Sequence, residues 1–185
     1  MSMLRVIVLA TVVSLLSTVP TFAQRGTRSR QRVSPHETVN AEIAGNKVTV
    51  TYGRPYSKNP RGTDIRKIWG ALVPYGKAWR LGADEATTIV LQKGIKIGDA
   101  TIPAGTYTLY LVPEENGGKL AFSKTVGRWG VPVDQKHDLV RVDVKKEPLS
   151  PALDQLAIAV EKADNGGVLK IKWEDSQYTV NFTNE

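Results

Sequence analysis

The chain has no cysteine, and its 185 residues include only two histidines, two methionines and three phenylalanines. Without cysteine there are no disulfides, no thiolate catalysis and no zinc–thiolate centre. Such a domain is held by its hydrophobic core, and the roughly 150 residues after Val33 are ample for one. His36 and His137 lie about a hundred residues apart with no ligand spacing around them, so no metal site is expected. No serine occupies a glycine-flanked elbow, and there is neither a phosphate loop nor a dinucleotide fingerprint, so no cofactor is expected. Sustained helical periodicity is also missing.

Long apolar runs are absent except at the start. Met1 to Ala23 carries Arg5, then an apolar run from Val6 to Val19, then Pro20 and small residues up to Ala23. This is the pattern of a secretory signal cleaved near Ala23. The run is about 14 residues, short of the ~20 that span a bilayer. The expectation is an exported chain, periplasmic or secreted, with no membrane span in its mature part and Gln24 as its first mature residue.

The formal charge of +7 is unevenly spread. Arg5 belongs to the signal, and Arg25, Arg28, Arg30 and Arg32 cluster just after it. Without those five, 20 basic residues face 18 acidic ones. Residues 24–36 therefore read as a disordered basic tail, and residues 37–185 as a single, nearly neutral β domain. Export and near-neutrality argue against a nucleic-acid partner.

What is present is period-two alternation in many short runs. Thr38 to Ile43 and Val48 to Tyr52 flank a hairpin turn signal at Ala44-Gly45-Asn46-Lys47. Further runs are Thr87 to Leu91, Ile95 to Ile97, Thr106 to Val112, Leu120 to Ser123, Leu139 to Val144, Leu156 to Val160, Val168 to Trp173 and Tyr178 to Phe182. The fold class expected is all-β: an antiparallel β-sandwich or flattened barrel of about ten short strands. One or two short helical turns are expected near 64–70, where Ile65, Ile68 and Trp69 share a side.

One stretch breaks the alternation. Tyr52 to Thr88 holds two of the four tryptophans, three prolines and five glycines, with its densest part from Leu72 to Thr87. Long aperiodic stretches inside a domain are commonly functional. Trp79 offers a flat apolar face, and Arg54 and Arg80 offer forked donors suited to carboxylate or phosphate. Lys77 adds a cation. Glu85 or Asp84 is a candidate acid or base, although neighbours in a strand point to opposite faces, so only one of the two would face a site. The binding candidates are Arg54, Lys77, Trp79, Arg80 and Glu85; no catalytic residue is identified. The same residues would also serve as a plug for one end of a β-sandwich, with Arg80 satisfying buried carbonyls and pairing with Glu85.

Several blocks carry a resemblance. Tyr52-x-Arg54-Pro55, the run from Ile68 to Arg80, Gly82 to Thr87 and Pro103 to Tyr107 resemble the bacterial domain-of-unknown-function family 2911, over roughly Thr38 to Phe182. Trp129-Gly130 and the strand Leu139 to Val144 fit as well. Position 84 is Asp where many members have Asn. The resemblance implies an exported bacterial protein and brings no activity with it. Three roles are carried forward. The first is a non-enzymatic binder of a small anionic or carbohydrate ligand, or of a protein partner. The second is a cell-envelope hydrolase with a carboxylate base in the 54/80/85 cluster. The third is a purely structural or adaptor domain.

Overall fold

The computed structural model describes Arg32, residues 34–59 and residues 62–185. The expected signal, its cleavage near Ala23 and most of the basic tail lie outside the described residues. Among the described residues no helix is long and apolar enough to cross a membrane.

Alternating apolar residues produce nine strands: β1 (His36–Ile43), β2 (Asn46–Gly53), β3 (Thr88–Leu91), β4 (Ile95–Ile97), β5 (Ala100–Ile102), β6 (Gly105–Pro113), β7 (Gly117–Ser123), β8 (Asp138–Ala163) and β9 (Gly166–Asn184). They form one antiparallel sheet in the order β1-β2-β3-β6-β7-β8-β9-β4-β5, open at β1 and β5. The β1–β2 turn has Ala44 and Gly45 both at positive φ, the two-residue geometry that matches strand twist.

The expected all-β class is what the chain adopts, with nine strands among the described residues. The runs at Leu139 and Leu156 join into the 26-residue β8, and those at Val168 and Tyr178 join into the 19-residue β9. Glu174-Asp175-Ser176 reads as a turn but lies within β9. There the buried phase changes from Leu169, Ile171 and Trp173 to Ser176, Tyr178, Val180 and Phe182. Glu174 has a φ of 55°, and the pairing with β8 shifts register beside it. An extra residue at this point returns the next apolar residues to the core face, where uninterrupted alternation would have exposed them.

The helical turns expected near 64–70 do not form. Residues 62–73 make bends held by bridges between Lys58 and Ile65 and between Trp69 and Val73. Gly70 at a φ of 77° and Pro74 stop a helix from extending.

Arg32, Ser34 and Pro35 lie in the stretch read as a basic tail, yet all three have partners in the domain. Arg32 pairs with Glu85, the Ser34 N–H donates to Asp84, and the Pro35 carbonyl accepts from the Arg54 N–H at 2.7 Å.

Candidate functional site

The Tyr52–Thr88 segment is a strap sewn across the sheet at several points. Backbone bonds join Ser57 to Asp154 (2.6 Å) and Leu156 to Pro55 (3.0 Å), and Trp79 exchanges a pair with Leu111 at 2.7 and 2.9 Å. The Trp69 indole N–H donates to the Trp173 carbonyl at 3.0 Å, and the Ile68 N–H donates to Glu174 Oε2 at 3.1 Å. Aperiodicity in this segment thus reflects loop backbone that finds its partners on distant strands.

Between the strap, the loop at residues 131–133 and the β8–β9 ladder lies an open cleft of about 1220 Å³. Its floor is aromatic. Trp79 stacks on Trp173 with ring centroids 5.7 Å apart and planes 22° apart. Trp69 meets Trp79 edge-on at 5.8 Å, and Tyr178 lies 4.8 Å from Trp69. Trp69 and Trp173 are buried, whereas Trp79 is half-buried and lines the cleft. Trp69 is thus packed into the core, whereas part of the Trp79 ring stays exposed in the cleft.

Arg80 also lines the cleft. Its Nε donates to the Gly82 carbonyl at 3.3 Å, and among the described residues its terminal nitrogens form no ion pair with a carboxylate. The Arg80–Glu85 pair of the plug reading does not form among the described residues. Burial lowers the Arg80 pKa, and the charges of Asp84 and Glu85 oppose that shift. A desolvated guanidinium with free forked donors suits an anionic oxygen.

Asp84 and Glu85 diverge. Asp84 lines the cleft, accepts from the Ser34 N–H at 3.3 Å and has a φ of 61°. Asp and Asn both enter the left-handed region readily, which gives a backbone reason for either at this position. Glu85 faces away, held by Arg32 through bonds of 2.7, 2.9 and 3.1 Å, with His36 Nε2 3.1 Å from its Oε2. Hydrogen bonding to Arg32 holds the Glu85 carboxyl below its ordinary range. A catalytic acid or base working near neutrality needs the opposite shift.

The loop carrying these groups is fixed by close approach. A Cβ on Gly53 would lie 2.2 Å from the Ala83 carbonyl oxygen, so only glycine lets the end of β2 meet residues 81–84 this closely. The Thr87 hydroxyl donates to the Leu81 carbonyl at 2.7 Å.

Of the five binding candidates, the fold brings Trp79 and Arg80 together in the cleft. Arg54 is placed elsewhere: its Nε donates to the Leu156 carbonyl at 3.0 Å and pairs with Glu37 at 2.9 Å. Lys77 is exposed and does not line the cleft. Glu85 belongs to the Arg32–His36 cluster. Sequence reasoning missed Tyr56, Lys58, Arg66, Leu72, Val131, Asp154 and Trp173, all of which line the cleft. Trp173 alternates in a strand and reads as core; Asp154 and Val131 carry no local signal. Arg66 pins the strap by donating to the Tyr56 and Ser57 carbonyls at 2.5 and 3.2 Å. Asp154 accepts from the Ser57 hydroxyl and from the Lys58 N–H at 3.2 Å. Among the described residues, no three His, Asp or Glu side chains converge as cation ligands would.

Residues 34–182 match the family described as "Protein of unknown function (DUF2911)", and the chain belongs to that family. No curated protein and no solved structure matches the chain.

Proposed function

We propose that this DUF2911 domain is a non-enzymatic binding module whose ligand lies in the Trp79/Arg80 cleft. A flat or apolar part rests on the exposed face of Trp79, and an anionic group takes the terminal nitrogens of Arg80. The observation that carries this reading is the half-buried indole stacked on Trp173, set beside a guanidinium with no carboxylate partner among the described residues. Binding sites join an apolar surface to a few convergent polar groups, and this cleft has both. The hydrolase alternative loses Glu85 as its base, since Glu85 faces Arg32 outside the cleft, and keeps Asp84, which lines the cleft and accepts from the Ser34 N–H.

The test is a thermal-shift and tryptophan-fluorescence screen of the domain against sugars, nucleotides and organic anions, with 8-anilinonaphthalene-1-sulfonate as an aromatic anionic probe. A compound at a hundred times its dissociation constant stabilises the fold by about 2.7 kcal/mol. The shift should vanish in Arg80→Ala and Trp79→Ala and persist in Lys77→Ala. A response indifferent to Arg80 and Trp79 would put the ligand elsewhere.

Export is part of the same proposal, supported by the Met1 to Ala23 pattern. Fractionation of cells making a C-terminally tagged chain should find it outside the cytoplasm, beginning at Gln24. A full-length cytoplasmic product would overturn export and leave the cleft reading standing.

A further inference from the structure

We infer that the ligand of this cleft is a single-chain amphiphilic anion, with a hydrocarbon chain attached to the anionic group that meets Arg80; this rests on the binding reading above. Six large hydrophobic side chains are exposed among the described residues. Three of them, Tyr56 (44%), Leu72 (46%) and Val131 (63%), line this one cleft, although they come from separate parts of the chain. A fourth, Ile65, stands opposite the cleft residue Lys58 in a backbone bridge. Scattered exposed apolar residues are ordinary, but convergence around a concave site marks something that covers them.

Charge selects the occupant. The two carboxylates of the cleft already accept hydrogen bonds, Asp84 from Ser34 and Asp154 from Ser57 and Lys58. Of the cations, Arg66 is turned to the carbonyls of Tyr56 and Ser57, while the terminal nitrogens of Arg80 stay unpaired in the cleft. The cleft thus offers a cationic anchor at Arg80, with the exposed Lys58 as a second cation on its lining, and an apolar rim. A saccharide would set hydroxyls against Leu72, Val131 and Pro132, which hold no side-chain partner for them. A hydrocarbon chain dries both surfaces.

The test is a homologous series, hexanoate, octanoate and decanoate, each below its micellar concentration and titrated in competition with 8-anilinonaphthalene-1-sulfonate. Affinity should rise about fourfold per methylene while the chain lies on the rim. Leu72→Asn and Val131→Asn, both at exposed positions, should flatten that rise. Arg80→Ala should weaken every member by a similar factor and leave the rise intact. A flat series with the probe still bound, and still lost in Arg80→Ala, would overturn this inference and keep the binding reading. Loss of the probe itself from the wild-type cleft would overturn both. Preference for an apolar peptide with a free C-terminal carboxylate over decanoate would replace the amphiphile by a protein partner.

Discussion

Trp79 stacks on Trp173 with centroids 5.7 Å apart, although 94 positions separate them in the chain. Trp173 is 1% exposed and its indole N–H donates to the Asp154 carbonyl at 3.3 Å, so it belongs to the core. Trp79 covers it from the cleft side. One ring supports the fold and the other offers a surface.

That division predicts two different losses. Trp173→Ala should cost about 3–5 kcal/mol in urea unfolding, the range for deleting a buried large aromatic. Trp79→Ala should cost clearly less, because part of its ring already faces solvent, and should abolish probe binding. Equal destabilisation by the two substitutions would mean that Trp79 is a plug after all.

Asp84 tests backbone strain at the cleft. Its φ of 61° is tolerated by Asp and Asn and resisted by β-branched residues. Asp84→Asn should leave stability nearly unchanged, whereas Asp84→Val should lose about 1–2 kcal/mol for the left-handed conformation alone. Thermal unfolding of the two variants side by side separates this backbone effect from loss of charge, since both remove the carboxylate.

The Arg32–Glu85 pair gives a pH dependence with a defined sign. Arg32 depresses the folded-state pKa of Glu85 below the ordinary 4.5. The contribution is therefore present above about pH 4.5 and is lost as the pH falls through the depressed value. The melting-temperature difference between wild type and Glu85→Gln should be largest at pH 7 and shrink towards pH 3. It should be small throughout, because both side chains are substantially solvated. Probe binding at neutral pH should survive the substitution.

Tyr52 joins the edge strand to the middle of β8. Its hydroxyl donates to Glu37 at 2.9 Å and accepts from the Ile158 N–H at 2.8 Å. Burial, with the Glu37 charge and hydrogen bond adding to it, pushes its pKa up to about 12. Tyr52→Phe leaves the Ile158 N–H buried without its acceptor and should cost about 1–3 kcal/mol by urea unfolding. Spectrophotometric titration should show a phenol with that raised pKa in the wild type and its loss in the variant.

Much of the fold was legible in single stretches of sequence. The hairpin at Ala44-Gly45, the strands around Val50, Ile89 and Leu109, and the aperiodic strap at 52–88 all announce themselves locally. Alternation and turn chemistry are properties of neighbouring residues. The merging of runs into β8 and β9 was hidden, because a bulge inside a strand and a turn between strands use the same polar residues. Glu174-Asp175-Ser176 is the case in point.

The site divides in the same way. Sequence alone marked the strap as aperiodic and picked out Trp79 and Arg80 as binding candidates, since side-chain chemistry is readable from identity. Only the tertiary structure decided which neighbours those residues have. It turned Arg54 towards Glu37 and Leu156, turned Glu85 towards Arg32, and brought Tyr56, Leu72, Val131 and Trp173 to the cleft that Arg80 lines. Those meetings follow from strand order and register across the whole sheet, which joins residues too far apart in the chain for any local pattern to pair them.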